Sequence, residues 1–149
     1  MLAWLYLHEQ SHLFQNHGEV GRQLNASWAN GEMMIDEMRD KENAPPKGFS
    51  AALSHALELA ADHEALNNVL GLLVKANGNT MPAHAIWTLV VGLTCMFQRF
   101  YGVPDRPHAE EAVGSHPDPS FRMRVLLREM TLMMLTPAVR QYAPWLKTH

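Results

Sequence analysis

Near the start of this chain, Leu7-His8-Glu9-Gln10-Ser11-His12-Leu13 sets two histidines four residues apart with a glutamate directly after the first. On a helix, residues four apart lie one above the other, so His8 and His12 can offer two imidazole nitrogens to one divalent ion with Glu9 beside them. A tetrahedral zinc ion held at about 2.0–2.2 Å needs one more protein ligand and leaves its fourth position to water, whose pKa it lowers toward about 7. Glu9 is then the group that takes the proton as the water attacks a carbonyl. The motif alone leaves a second reading open, an amphipathic helix whose histidines are surface or hydrogen-bonded core residues.

A chain of 149 residues fits one domain, residues 1–149, large enough to bury a core without cross-links. With 47% apolar and 18% charged residues it falls outside the disordered class. The formal charge is −3 and the basic residues form no cluster, so a nucleic-acid footprint is lacking. Cys95 is the single cysteine, which excludes an internal disulfide and a thiolate-rich zinc site and suits a reducing, cytoplasmic setting. Its apolar helical surroundings predict a buried, inert thiol. Met1 to Leu7 lacks the basic start of a signal peptide, and the longest apolar run, Ala85 to Phe97, is shorter than the roughly 20 residues that span a bilayer. A soluble protein is expected. Ten methionines suit an adaptable helical core.

No repeat and no alternating strand pattern is present, and the expected fold is all-α with four to five helices and no sheet upstream. Leu2 to Asn16 forms the first helix, closed by His17-Gly18, with Leu2, Leu5, Leu13 and Phe14 spaced to meet its neighbours. Residues 18–48 are an irregular, insertion-like segment containing a short helix over Met33–Arg39. Ser50 caps a long helix from about Ala51 to Lys75, which Asn77-Gly78 ends. Pro82 opens a helix reaching Phe100 or Tyr101, and its apolar character on nearly all sides makes it the expected centre of the core. Val103 to Ser120 is a proline-rich loop in which His108 to Ala112 has room for one helical turn. Ser120 caps a helix through Leu135, and Pro137 opens a short last one broken at Pro144.

A third metal ligand has to come from a helix with a carboxylate on an otherwise buried face. On the long helix Ala51, His55, Glu58, Asp62, Ala65 and Val69 share one stripe, and Glu58 meets the requirement. Asp62, one turn later, is spaced to accept the ring N–H of a liganding histidine, which fixes its tautomer. Two carboxylates on such a stripe are costly without cationic partners, and a metal with its histidines supplies them. The competing reading is a solvated helix face with His55 or His63 as neighbours of the carboxylates.

Three separated motifs, Leu7 to His12 with His17 five residues on, Glu58-Leu59-Ala60-Ala61-Asp62, and Ser115-His116-Pro117 followed by Arg122, resemble the motif series of gluzincin peptidases of the HtpX and CAAX-prenyl-protease type. The series is also similar to Lit-type phage-exclusion proteases and to minigluzincins, and it covers about three quarters of the chain. The resemblance implies a zincin-like zinc metallopeptidase: His8, His12 and Glu58 as ligands, Glu9 as general base and acid, Asp62 as the outer partner of a ligand histidine. It further implies His116 as the donor to the oxyanion, placed with the help of Arg122. A histidine before proline is held extended and can be aimed by its loop, although a plain turn ahead of the Asp118-Pro119-Ser120 helix start explains it too. His17 lacks the spacing of a metzincin third histidine and suits a cation at a helix C-terminus. Gln10 departs from the family's apolar pattern, and no substrate-pairing strand precedes the first helix. The partners expected are a peptide or protein substrate, no nucleic acid and no membrane span, with a homodimer as one source of the missing strand. Two other readings stand beside the peptidase: a zinc-stabilised helical interaction module, and a metal-free bundle.

Overall fold

The computed structural model describes residues 2–24, 47–101, 112–114 and 116–147, so the expected helix over Met33–Arg39 and the turn from His108 fall outside the described residues. The fold is all-α. In chain order come α1 (Leu2–Phe14), α2 (His17–Leu24), α3 (Gly48–Ala76), α4 (Ala83–Tyr101), α5 (Pro119–Leu135), α6 (Pro137–Arg140) and a 3₁₀ turn over Pro144–Lys147. Among the described residues there is no strand, only an isolated antiparallel bridge between Lys47 and Val113. None of their helices is long and apolar enough to cross a membrane.

Local chemistry sets most helix ends, at positions that correct several expectations. α1 stops at Phe14 because Asn16 takes a left-handed conformation (φ 52°), and the chain re-enters a helix at His17 instead of ending there. Residues 18–24, expected to be irregular, therefore belong to α2. α3 starts at Gly48 with Lys47 in the cap position and no side-chain cap, so Ser50 lies inside the helix. It ends as expected: Asn77 donates both its backbone N–H and its Nδ2 to Leu73 O, and Gly78 follows at φ +65°. Asp118, not Ser120, caps α5, accepting from Ser120 N at 2.8 Å and Phe121 N at 3.3 Å, with Pro119 in the first turn. Thr136 caps α6.

α3 is the axis of the molecule. α1 and α5 both pack against it, and α4 packs on α5. The core joins Trp4 of α1 with Ala65, Leu66, Val69 and Leu70 of α3, Leu89, Leu93 and Phe97 of α4, and Leu126, Met130 and Met134 of α5. The C-terminal turn closes the lower end: Met81 N donates to Tyr142 O at 2.6 Å and Trp145 Nε1 to Met81 O at 2.7 Å.

Two expectations about faces are overturned. α4 buries a single stripe, Ala85, Leu89, Leu93 and Phe97, while Trp87, Val91 and Cys95 are exposed, so neither the all-round core helix nor the buried thiol is found. On α1 the buried residues are Trp4, His8 and Ser11, and Leu2, Leu13 and Phe14 are 84%, 75% and 80% exposed. The inward face of α1 is the polar one, because α3 meets it with carboxylates. Leu66→Ala is expected to lower stability by about 2–5 kcal/mol, whereas Leu13→Ala changes it by less than about 0.5 kcal/mol, as read from urea midpoints.

Candidate metal centre

α1 and α3 bring three ligand atoms together. His8 Nε2 and His12 Nε2 are 3.2 Å apart, His12 Nε2 is 3.1 Å from Glu58 Oε1, and His8 Nε2 is 3.5 Å from Glu58 Oε2. Ligands held at about 2.0–2.2 Å in a tetrahedron stand about 3.3–3.6 Å from one another, and the His8–His12 separation and the distance from each imidazole to one or other Glu58 oxygen lie within a few tenths of an ångström of that range. His8, His12 and Glu58 are the group among the described residues whose ligand atoms converge in this way. Glu58 is 8% exposed and its Oε2 lacks an aligned hydrogen-bond donor, the state of a buried carboxylate that a cation would satisfy.

Each converging group is held from behind. Asp62, fully buried on α3, places Oδ1 2.9 Å from His8 Nδ1, a close contact without ideal hydrogen-bond alignment. Arg122 of α5 grips both Asp62 oxygens, Nε to Oδ2 at 2.8 Å and Nη2 to Oδ1 at 2.7 Å, and sets Nη1 3.1 Å from Glu58 Oε2. The guanidinium itself lies over the Phe97 ring, 5.2 Å from its centroid. Trp4 stacks on the His8 ring at 5.2 Å, one turn earlier on α1. Behind His12 stands His17, the first residue of α2, with the two Nδ1 atoms 2.8 Å apart.

The rings titrate in opposite senses. Burial pulls His8 down, but the Asp62 and Glu58 carboxylates outweigh it and push the ring up to about 9. Burial also penalises the Glu58 carboxylate, yet His12, His8 and the Arg122 and His116 charges hold it well below the ordinary carboxylate range. Burial and the neighbouring His12 push His17 down to about 4. His17 is therefore a buried neutral ring at the start of α2, not a cation at the end of α1.

The other expected residues have definite places. Glu9 is exposed on α1, beside His8 and outside the ligand cluster. His116, half-buried just before α5, brings Nε2 to 3.7 Å from Glu58 Oε1. Arg122, expected to help place His116, is bound to Asp62 and Glu58. The solvated-face reading of Glu58 and Asp62 does not hold, since both are buried, and His63 points instead toward Glu129 at 3.8 Å. The residue missed is His17. Its spacing from His12 was visible, but only the break at Asn16 turns it back onto the first helix. No protein-family model matches the chain, and no curated protein or solved structure is significantly similar to it.

These shifts fix a pH profile for the metal-free protein. His17, lowered from 6.5 to about 4, makes the unfolded chain bind more protons in that window, so stability rises with pH across it. Glu58, also depressed, adds a loss of stability as pH falls below the ordinary carboxylate range. His8, raised from 6.5 to about 9, makes the folded state bind more protons there, so its contribution is lost as pH climbs through about 9. Urea midpoints measured in chelator should therefore peak at roughly pH 6.5 and decline on both sides. A profile rising steadily to pH 9 contradicts the His8 contacts.

Proposed function

We propose that this chain is a zinc metallopeptidase domain that hydrolyses peptide bonds in a peptide or protein substrate, with His8, His12 and Glu58 as the zinc ligands. The observation that carries the reading is the convergence of two Nε2 atoms and one carboxylate at tetrahedral-edge distances on two packed helices. When bound, zinc supplies a Lewis acid that polarises the substrate carbonyl and makes water acidic enough to lose a proton near neutral pH. Glu9 takes that proton and returns it to the leaving amine. Its exposed place next to His8 keeps the carboxylate free to face an incoming substrate, while Glu58, gripped by Arg122, is committed to the metal. His116, with Nε2 near Glu58, donates to the oxyanion that develops on the carbonyl, a role worth about 2.7–4 kcal/mol where such donors have been removed. Asp62 orients His8, and Arg122 holds both carboxylates in place.

A second reading is a zinc-stabilised helical interaction module. It draws on the fact that the ligand set ties α1 to α3, its main packing partner. Chelation separates the two: loss of fold marks structural zinc, and loss of activity without unfolding marks a catalytic ion.

Protein purified without added metal is expected to carry about one equivalent of zinc by elemental analysis, and His12→Ala to lose it. Glu9→Gln should retain the zinc while hydrolysis of a general peptide substrate falls by at least about 10²-fold. Full activity in Glu9→Gln removes the assigned base, and zinc-free protein at every step of purification removes the enzyme altogether.

A further inference from the structure

We infer that His17 is a positioning residue for the metal centre: its Nδ1 accepts the Nδ1–H of His12 and thereby holds His12 with its Nε2 lone pair turned toward His8 and Glu58. The inference rests on the zinc reading above and deepens it.

Which nitrogen of His12 faces the cluster is unambiguous. Nε2 is 3.2 Å from His8 Nε2 and 3.1 Å from Glu58 Oε1, while Nδ1 is turned the other way, 2.8 Å from His17 Nδ1. A neutral imidazole that ligates through Nε2 carries its proton on Nδ1. Two ring nitrogens 2.8 Å apart share one proton, so His17 must present a bare Nδ1 and keep its own proton on Nε2. The His17 ring is 3% exposed and nearly perpendicular to His12, at an interplanar angle of 81°. An edge-on approach of this kind directs a nitrogen lone pair at an N–H and not at a ring face.

The two ligand histidines are thus held by unlike groups. His8 has a carboxylate, Asp62, behind it, and His12 has a neutral ring. The difference suits the local charge. The cluster already buries two carboxylates, Glu58 and Asp62, against one guanidinium. Before metal binds, a third carboxylate behind His12 would deepen the negative excess of a site that water cannot screen, whereas a neutral imidazole adds no charge. The left-handed Asn16 is what makes this geometry available, because it ends α1 two residues after Phe14 and starts α2 with His17 facing back.

Two substitutions separate the hydrogen bond from mere filling of space. His17→Phe keeps a buried ring and removes the acceptor. His17→Asn places a neutral side-chain oxygen near the position of Nδ1 and preserves it. Measured by chelator competition on the full chain, zinc affinity is expected to fall 10–100-fold in His17→Phe and to stay within about threefold of the parent in His17→Asn. In zinc-loaded parent protein, long-range ¹⁵N–¹H spectra of the imidazoles are expected to show an Nδ1–H proton on His12 that exchanges slowly with solvent, and His17→Phe to speed that exchange. Equal affinity in His17→Phe and the parent, or equal losses in both variants, overturns the role. Parent protein that binds no zinc removes the metal reading and this role with it, whereas zinc bound equally well by His17→Phe removes the role alone.

Discussion

The structure depends on one buried charge network, the pairing of Glu58 and Asp62 on α3 with Arg122 on α5 and the imidazoles of α1. Carboxylates this deep are tolerated only when paired, and removing one partner from such a set typically costs about 3–5 kcal/mol. Arg122 provides one positive charge against two negative ones. The residual negative charge explains why His8 retains a proton well above the ordinary range of a histidine. A divalent ion at the same point would displace that proton and carry the balance past neutrality to one net positive charge.

This network also dictates which way α1 faces. By hydrophobic spacing alone Leu2, Leu5, Leu13 and Phe14 would turn inward, yet of these only Leu5 packs against the core, and Trp4, His8 and Ser11 are the buried residues. The helix is oriented by electrostatics, with Trp4 as the main apolar contribution to the interface, stacked on His8 and edge-on to Phe97. Phe97 in turn carries the Arg122 guanidinium on its ring, so one aromatic residue of α4 meets both α1 and the α5 cation. Site and core are continuous here, and each sets the position of the other.

What the sequence made legible follows from periodicity and type. The all-α fold, the course of α3 and the stripe from Ala51 to Val69 were readable because helical spacing and the Asn77-Gly78 stop are strong local signals. The His8, His12 and Glu58 set was readable because ligation demands certain residue types at certain spacings, whatever the surrounding hydrophobicity. The inward face of α1 was not, since pattern rules assign polar residues to solvent and have no means of seeing a carboxylate on a helix fifty residues away. Asn16 was equally opaque. A single residue entering the left-handed region leaves no periodic trace, yet it decides that His17 begins a helix and does not end one. Cys95 was misjudged on the same basis as Leu13: an apolar run says that a helix is near the core, not which of its sides is.

The centre divides its residues by rigidity. The groups proposed as ligands and their outer partners lie on α1, α3 and α5, whose core includes Ala65 and Leu126. Small residues such as Ala61 and Ala65 let the helices approach closely enough for side chains as short as Asp62 to reach a neighbour. Groups proposed to meet substrate lie at the margin instead: Glu9 on the exposed side of α1, and His116 on the segment just ahead of Asp118. A ligand set gains from fixed distances, because metal geometry tolerates only a few tenths of an ångström, whereas groups that exchange protons with an incoming chain must be reached from solvent. Burial therefore separates the two proposed tasks: His8, Glu58, Asp62, His17 and Arg122, at 8% exposure or less, together with His12, whose side chain is 11% exposed, hold the arrangement, and the more accessible Glu9 and His116 are the groups proposed to act on what enters it.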